Sequence, residues 1–544
     1  MPSTPRLFNE RARSGRWLRA AALLLMLVLG LSVRLVHITA LPYDFHVDRQ
    51  YFDALRAQAD YDNDTGAPAL LRREANANVA DEGALEPPIM QQLAVWGYEI
   101  DGHENLTIAF VEAAVIWVVG AVFLYLLVAR LLSLTAAFIA AAFYLFAPFG
   151  VAASRAFMPD PLMVTMTVLA VYVALRYHQA GGRRRGLLAA SFIAAAAAMW
   201  VKPLAVFVVV PAFAAFELSA KGWRRAVQSP ALLAFMVGAG APPGAFYLYE
   251  YLSGSFQKGA GTVLSASIFL HVSFWHGWIE NADTVLRVGP SIPGEAVIVL
   301  SFIAVLVSRQ PTRTLLLALA AGYFLLGIVF ATHIYNHDYY SLPLIPIVAI
   351  ALGSLGSWAL DHLRAWRPVL GKAMPVAMVV AFAVYAGYSG GSLYNNLLTP
   401  QPQVPSVALD RHIGGVVDHS TRVMFLAQNF GLTVAYYGCM TAEAYWPNSV
   451  DLASEKFLGH GIPSVPAQMD QIVAQFHPQW FVITWPLQLR LQPKLLPFLE
   501  EHFFLAAHGS TYWVYDLTRP ASRIAAWRDE TGIRADEYAT KRVA

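Results

Sequence analysis

Through the first 390 residues, long apolar runs alternate with short charged clusters. A run of about 20 apolar residues is long enough for a helix to cross a bilayer. Runs of roughly that kind occupy positions 20–41, 108–131, 134–153, 160–178, 187–201, 203–218, 230–250, 293–308, 314–332, 340–360 and 373–390, which predicts eleven spans. The fifth and sixth are short and also read as one long helix broken at Pro203. Beyond residue 390 the apolar runs shrink to strand length, at Val423–Leu426, 433–437, 480–484 and 511–515. Helical stretches at 464–476 and 495–501 lie between them. The expected fold is therefore an all-α polytopic membrane domain followed by a small C-terminal α/β domain.

Basic residues orient the spans, because short loops rich in Lys and Arg stay in the cytoplasm. With a cytoplasmic N-terminus, Arg130, Arg183–Arg185, Lys221 with Arg224 and Arg225, Arg309 with Arg313, and Arg364 with Arg367 and Lys372 all fall inside. This divides the chain into a basic cytoplasmic segment 1–19, a membrane domain 20–390 and an extracytoplasmic domain 391–544. Two loops on the outer side are long, 42–107 and 250–292. The first has a helical stretch at 47–58. The second contains 265–279, whose spaced aromatics suit a helix lying at headgroup depth. The expected location is a cytoplasmic (inner) membrane, crossed many times.

Composition agrees. Of the 544 residues 57% are hydrophobic and 14% charged, against about 25% charged in soluble domains. A net charge of +2 gives no footprint for nucleic acid. The single cysteine, Cys439, rules out an intrachain disulfide.

Ionisable groups at membrane depth are costly and call for a functional reading. Five clusters fall on the outer side. Asp44 and Asp48 follow the first span, where carboxylates serve equally as helix caps. Glu86 precedes Pro87 and Pro88, which hold the backbone rigid. Arg155 and Asp160 flank Pro159 in a tight turn, either as an ion pair or as an anion-binding Arg held by Asp. Lys202 stands before Pro203 between two apolar half-helices, where it either snorkels or meets a phosphate. The fifth cluster packs His333, His337, Asp338, Tyr339 and Tyr340 into one loop edge. An aromatic belt explains the tyrosines but not the histidines and Asp. The run Asp60 to Gly66 looks like the start of a calcium loop, but its Gly is one place late and Leu71 stands where the closing Glu belongs. It reads as a solvated acidic loop. No metal ligand set and no cofactor is assigned, and a divalent metal stays open.

The order of these motifs resembles the GT-C glycosyltransferases, in particular the bacterial branch related to protein O-mannosyltransferases and to aminoarabinose transferases of lipid A. The resemblance covers about residues 20–390. It implies a polyprenyl-phosphate-linked sugar donor, an outward-facing site, and an acidic residue of the first outer loop as general base. By register Asp48 takes that place, with Leu55 following, although Arg49 stands where the family commonly has Glu; Asp44 is the other candidate. The resemblance gives Glu86 the second acidic position and sends Arg155, Lys202, His337 and Tyr340 to phosphate or sugar, with Asp160, Asp338 and Tyr339 beside them. The acceptor would be a hydroxyl of a lipid, glycan or protein. A lipid or sugar transporter and a non-catalytic membrane scaffold are the competing readings. Against a transporter, the charges sit at helix ends and no internal repeat is visible.

Overall fold

A computed structural model of the chain describes residues 5–82, 85–254, 266–398, 406–457 and 461–521. In chain order the helices are α1 (Pro5–Arg34), α2 (Val47–Asp64), α3 (Ala69–Glu82), α4 (Ile89–Asp101), α5 (Leu106–Leu131), α6 (Leu134–Phe146), α7 (Pro148–Ala153) and α8 (Asp160–Gln179). Then come α9 (Arg185–Val201), α10 (Val206–Lys221), α11 (Trp223–Val227), α12 (Pro230–Ser253), α13 (Val272–Leu286), α14 (Gly294–Val307), α15 (Thr312–Val329), α16 (Ala331–Ile334), α17 (Leu344–Trp366) and α18 (Pro368–Leu398). The last part holds α19 (Val407–Val416), β1 (Val423–Leu426), α20 (Leu432–Gly438), β2 (Ala442–Tyr445), α21 (Ser449–Phe457), α22 (Val465–Phe476), β3 (Trp480–Ile483), α23 (Pro486–Leu491), α24 (Leu495–His502), β4 (Phe503–His508) and β5 (Trp513–Pro520).

The described residues form two compact units. The first takes those within Met1–Phe45, Ala84–Leu93 and Leu106–Thr399; the second those within His46–Gly83, Ala94–Asn105 and Pro400–Ala544.

The first unit is helical. Among the described residues seven helices are long and apolar enough to cross a membrane: Trp17–Arg34 of α1, α5, α8, Pro203–Lys221, α12, α15 and α17. Helices α6, α9 and α14 are apolar but shorter, and α18 covers the last predicted place. Helix α8 packs on α5 and α9, α10 on α15, and α17 on α6 and α14. Lipid supplies no hydrophobic drive between helices, so close backbone approach at small residues matters. A Cβ on Gly322 would sit 2.0 Å from the Phe207 carbonyl oxygen, and one on Gly353 2.7 Å from that of Ala136. The aromatic segment near 265–279 is helical in its described part, as a 3₁₀ turn Ala266–Leu270 followed by α13. Its Phe274 and Trp278 pack against Ala331 and Ile334, while Leu270, Val272 and Ile279 are exposed.

The second unit is built on a five-stranded sheet of order β2-β1-β3-β5-β4. Strand β1 runs parallel to β2 and β3; β5 runs antiparallel to β3 and β4. Alternate side chains face opposite sides. Met424, Leu426, Phe481 and Ile483 pack with Met469, Ile472, Leu495 and Leu499 of α22 and α24. Val423, Phe425, Val482 and Val514 pack with Ile413 and Val434 of α19 and α20. Helix α2 joins this unit against α20, and α3 packs on β2.

Two expectations need correction. Residues 433–437 were expected as a strand but belong to helix α20; a five-residue apolar run carries no readable period. The turn before it, with Asn429, Phe430 and Gly431 all at positive φ, redirects the chain off the sheet. The acidic run at Asp60 is not a loop but the last turn of α2. Strands β2 and β4 had no clear signal in the sequence.

Candidate active site

Local chemistry sets the Lys202 position first. Helix α9 stops at Val201 because Pro203 follows, and the residue before a proline is driven to extended backbone; Lys202 has φ −157° and ψ 128°. Its side chain therefore leaves the helix and turns into the unit, where the residue is 4% exposed. Asp160 opens α8 with Pro161 behind it, an arrangement that proline tolerates and the helix dipole favours.

These two side chains meet. Lys202 Nζ donates to both carboxylate oxygens of Asp160 at 3.0 Å. Glu86 Oε1 lies 3.9 Å from the same nitrogen. The rings of Tyr339 and Tyr340 face the ammonium with centroids at 4.8 and 5.2 Å, within cation–π range. Three separate segments thus converge on a cation carried by a fourth. An ammonium has three donors, and both Asp160 oxygens lie on one side of it, so at least one N–H points elsewhere.

The pairing of Arg155 with Asp160, offered by their closeness in sequence, does not occur. Arg155 instead donates from Nη2 to the His37 carbonyl at 3.0 Å, and its Nη1 lies 3.9 Å from Asp44 Oδ2. That distance is beyond a hydrogen bond, and Nη1 is buried with no hydrogen-bond partner. Burial is the larger influence on both groups. It pushes the Asp44 carboxyl up, partly offset by Arg155, and draws the Arg155 guanidinium down, partly offset by Asp44. The turn is anchored from below. Arg34, fully buried, donates to Ser154 Oγ at 2.6 Å and to the carbonyls of Gly30 and Leu145 at 2.7 and 2.9 Å. Ala156 and Met158 pack with Phe45, Tyr339 and Tyr340, so the turn bearing Arg155 and Asp160 touches the tyrosines that cover Lys202.

His337 bonds Asn336 Oδ1 through Nδ1 at 2.6 Å and meets the Tyr339 ring edge-on at 5.6 Å. Asp338 opens the 3₁₀ turn Asp338–Ser341 that carries both tyrosines. His333, named in this loop but given no role of its own there, stacks on Tyr340 at 5.3 Å. Burial, and after it the charge of Lys202, lowers its pKa and favours the neutral ring. No spacing rule distinguishes it from His337; only the stacking does. Asp48 sits half-buried in the first turn of α2 and belongs to the second unit, whereas Asp44 belongs to the first. Among the described residues no three His, Cys, Asp or Glu side chains gather in a way that would hold a metal ion.

Residues 85–241 match the sequence model of the family described as dolichyl-phosphate-mannose-protein mannosyltransferase. That interval contains Glu86, Arg155, Asp160 and Lys202. No curated protein sequence matches the chain. Among solved structures, the fold is similar to ArnT from Cupriavidus metallidurans bound to undecaprenyl phosphate, with TM-score 0.51 and 16% identity, over 93% of this chain and 98% of that one. It is also similar to the archaeal oligosaccharyltransferase AglB from Archaeoglobus fulgidus in complex with an inhibitory peptide and a dolichol-phosphate, with TM-score 0.53 and 13% identity, over 90% of this chain and 72% of that one. The resemblance drawn from the motifs is borne out: the chain has the fold of the GT-C superfamily of membrane glycosyltransferases.

Proposed function

We propose that this protein transfers a sugar from a polyprenyl-phosphate donor to a hydroxyl of a lipid, glycan or protein, on the outer face of the cytoplasmic membrane, with an Asp of the first outer loop as general base. The observation that carries the reading is the pair of buried cations on linked elements. Arg155 keeps a buried donor unfilled, and Lys202 keeps one N–H beyond those given to Asp160. Buried cationic donors left open are what a lipid phosphate would satisfy. The structural relatives support this choice of donor, since ArnT holds undecaprenyl phosphate and AglB a dolichol-phosphate. The topology proposed with it has eleven crossings, the N-terminus inside and residues 391–544 outside.

The step is a single displacement. The acceptor oxygen attacks the anomeric carbon while a carboxylate takes its proton. The new C–O bond forms as the bond to the lipid phosphate oxygen breaks, and the electron pair leaves on the phosphate. Lys202 and Arg155 stabilise that developing charge. Configuration at the anomeric carbon inverts. Asp48 is the proposed base and Asp44 its alternative; the closeness of Asp44 to Arg155, 3.9 Å between Oδ2 and Nη1, suits it to holding that cation. The test incubates the purified protein with a panel of polyprenyl-phosphate sugars and follows release of the lipid phosphate. Asp48→Asn or Asp44→Asn should lower release at least ~100-fold. Full activity in both variants would refute the base assignment.

A further inference from the structure

The second unit displays two large aromatic rings at its surface. Phe430 is 45% exposed and Tyr445 53% exposed, and their rings meet at 5.3 Å and 71°. Phe430 is held there against its backbone preference. Asn429, Phe430 and Gly431 have φ of 52°, 57° and 81°. Glycine accepts that region freely; a bulky residue is an outlier in it. Gly431 has no choice, because a Cβ there would stand 2.5 Å from the Phe425 ring. For Phe430 no such steric demand for glycine exists, and its side chain is partly exposed. Strained residues of this kind cluster where a ligand is held.

The position in the sheet points the same way. Strands β2, β1 and β3 are parallel, and ligands of such sheets bind beyond the carboxyl ends of the strands. Phe430 follows the carboxyl end of β1, Tyr445 closes β2, and Thr484 follows β3. By strand alternation Tyr445 and Thr484 lie on the Phe425 side of the sheet, where Gly431 also packs. The Thr484 hydroxyl is buried with no hydrogen-bond partner, in a residue only 3% exposed. Partly exposed aromatic rings, an amide residue in the same turn, Asn429, and an unused hydroxyl match a ligand with apolar C–H faces and a rim of hydroxyls.

We infer that the turn at 429–431 together with Tyr445 forms a saccharide-binding platform, taking the pyranose rings of a glycan. The turn packs against α2, the helix whose first turn carries Asp48. Its role as the acceptor's seat therefore rests on the proposed transfer reaction; the binding of sugar does not.

The test uses the full-length protein in detergent, with no donor present. Saturation-transfer NMR is recorded with mannotriose, cellotriose and diacetylchitobiose as probes, for the wild type, Phe430→Gly and Tyr445→Ala. Glycine relieves the backbone strain, so Phe430→Gly should keep or raise the melting temperature while weakening saccharide binding by about tenfold. Tyr445→Ala should weaken it similarly. Absence of transfer to all three probes in the wild type overturns the proposal, as does binding unchanged in both variants. A clear drop in melting temperature for Phe430→Gly also overturns it, because the ring would then be a packing element. Donor hydrolysis is read separately, so failure of the transferase reading leaves this result standing and the reverse.

Discussion

Replacing Lys202 with methionine keeps the length of the stem and removes the ammonium. Asp160, 2% exposed, then loses both of its 3.0 Å partners, and Glu86 loses the cation 3.9 Å away. Leaving one member of a buried pair uncompensated costs about 3–5 kcal/mol. Replacing both members by apolar residues of similar volume is close to neutral. Lys202→Met should therefore destabilise by roughly 3–5 kcal/mol, while Lys202→Met with Asp160→Leu should return to within about 1–2 kcal/mol of the wild type. The assay is detergent-induced unfolding followed by tryptophan fluorescence, arranged as a double-mutant cycle. Sugar transfer should be lost in the single and the double variant alike, because restored packing does not restore a cation for the leaving phosphate. A single variant within about 1 kcal/mol of wild type, or costs that simply add, would refute the idea that this pair is the buried centre of the site.

Two other perturbations follow from buried charge. Asp410 is buried with neither carboxylate oxygen hydrogen-bonded, and burial pushes its pKa up to about 7. A carboxyl raised above its unfolded value favours the protonated fold, so stability is fullest at low pH and falls as pH rises from about 4 to about 7. Asp410→Asn should remove roughly 4 kcal/mol of that decline, measured as unfolding free energy against pH; the share belonging to Glu104, also raised to about 7 by burial, should remain. Arg34→Met should cost at least about 4 kcal/mol by stripping three charge-assisted hydrogen bonds. It should raise KM for the lipid donor more than it lowers kcat, because Ser154 positions the neighbouring Arg155, and Arg34→Lys should recover part of the loss.

What could be read from the sequence follows from the range of each interaction. Periodicity is local, so β1 at Val423–Leu426 and the helices at α22 and α24 were legible, as were the proline-fixed positions of Glu86 and Lys202. Pairings are not local. Asp160 finds its lysine 42 residues away, and Arg155 bonds His37 across 118. The assembly of the second unit reaches further: Tyr436 donates to Glu104 over 332 residues, which drew most of the first long loop into the sheet-bearing unit. Short apolar segments such as 433–437 were ambiguous because five residues fit a strand and a helix equally. The strain at Phe430 left no mark in residue type at all, since a phenylalanine predicts the opposite backbone.

The most direct test of the account is whether the cations on linked elements hold a lipid phosphate. Native mass spectrometry of the purified protein titrated with polyprenyl phosphate measures this without any sugar or acceptor. One bound lipid per chain is expected for the wild type, with affinity falling at least ~10-fold in Lys202→Met and again in Arg155→Met. Equal binding by the wild type and both variants would contradict the account.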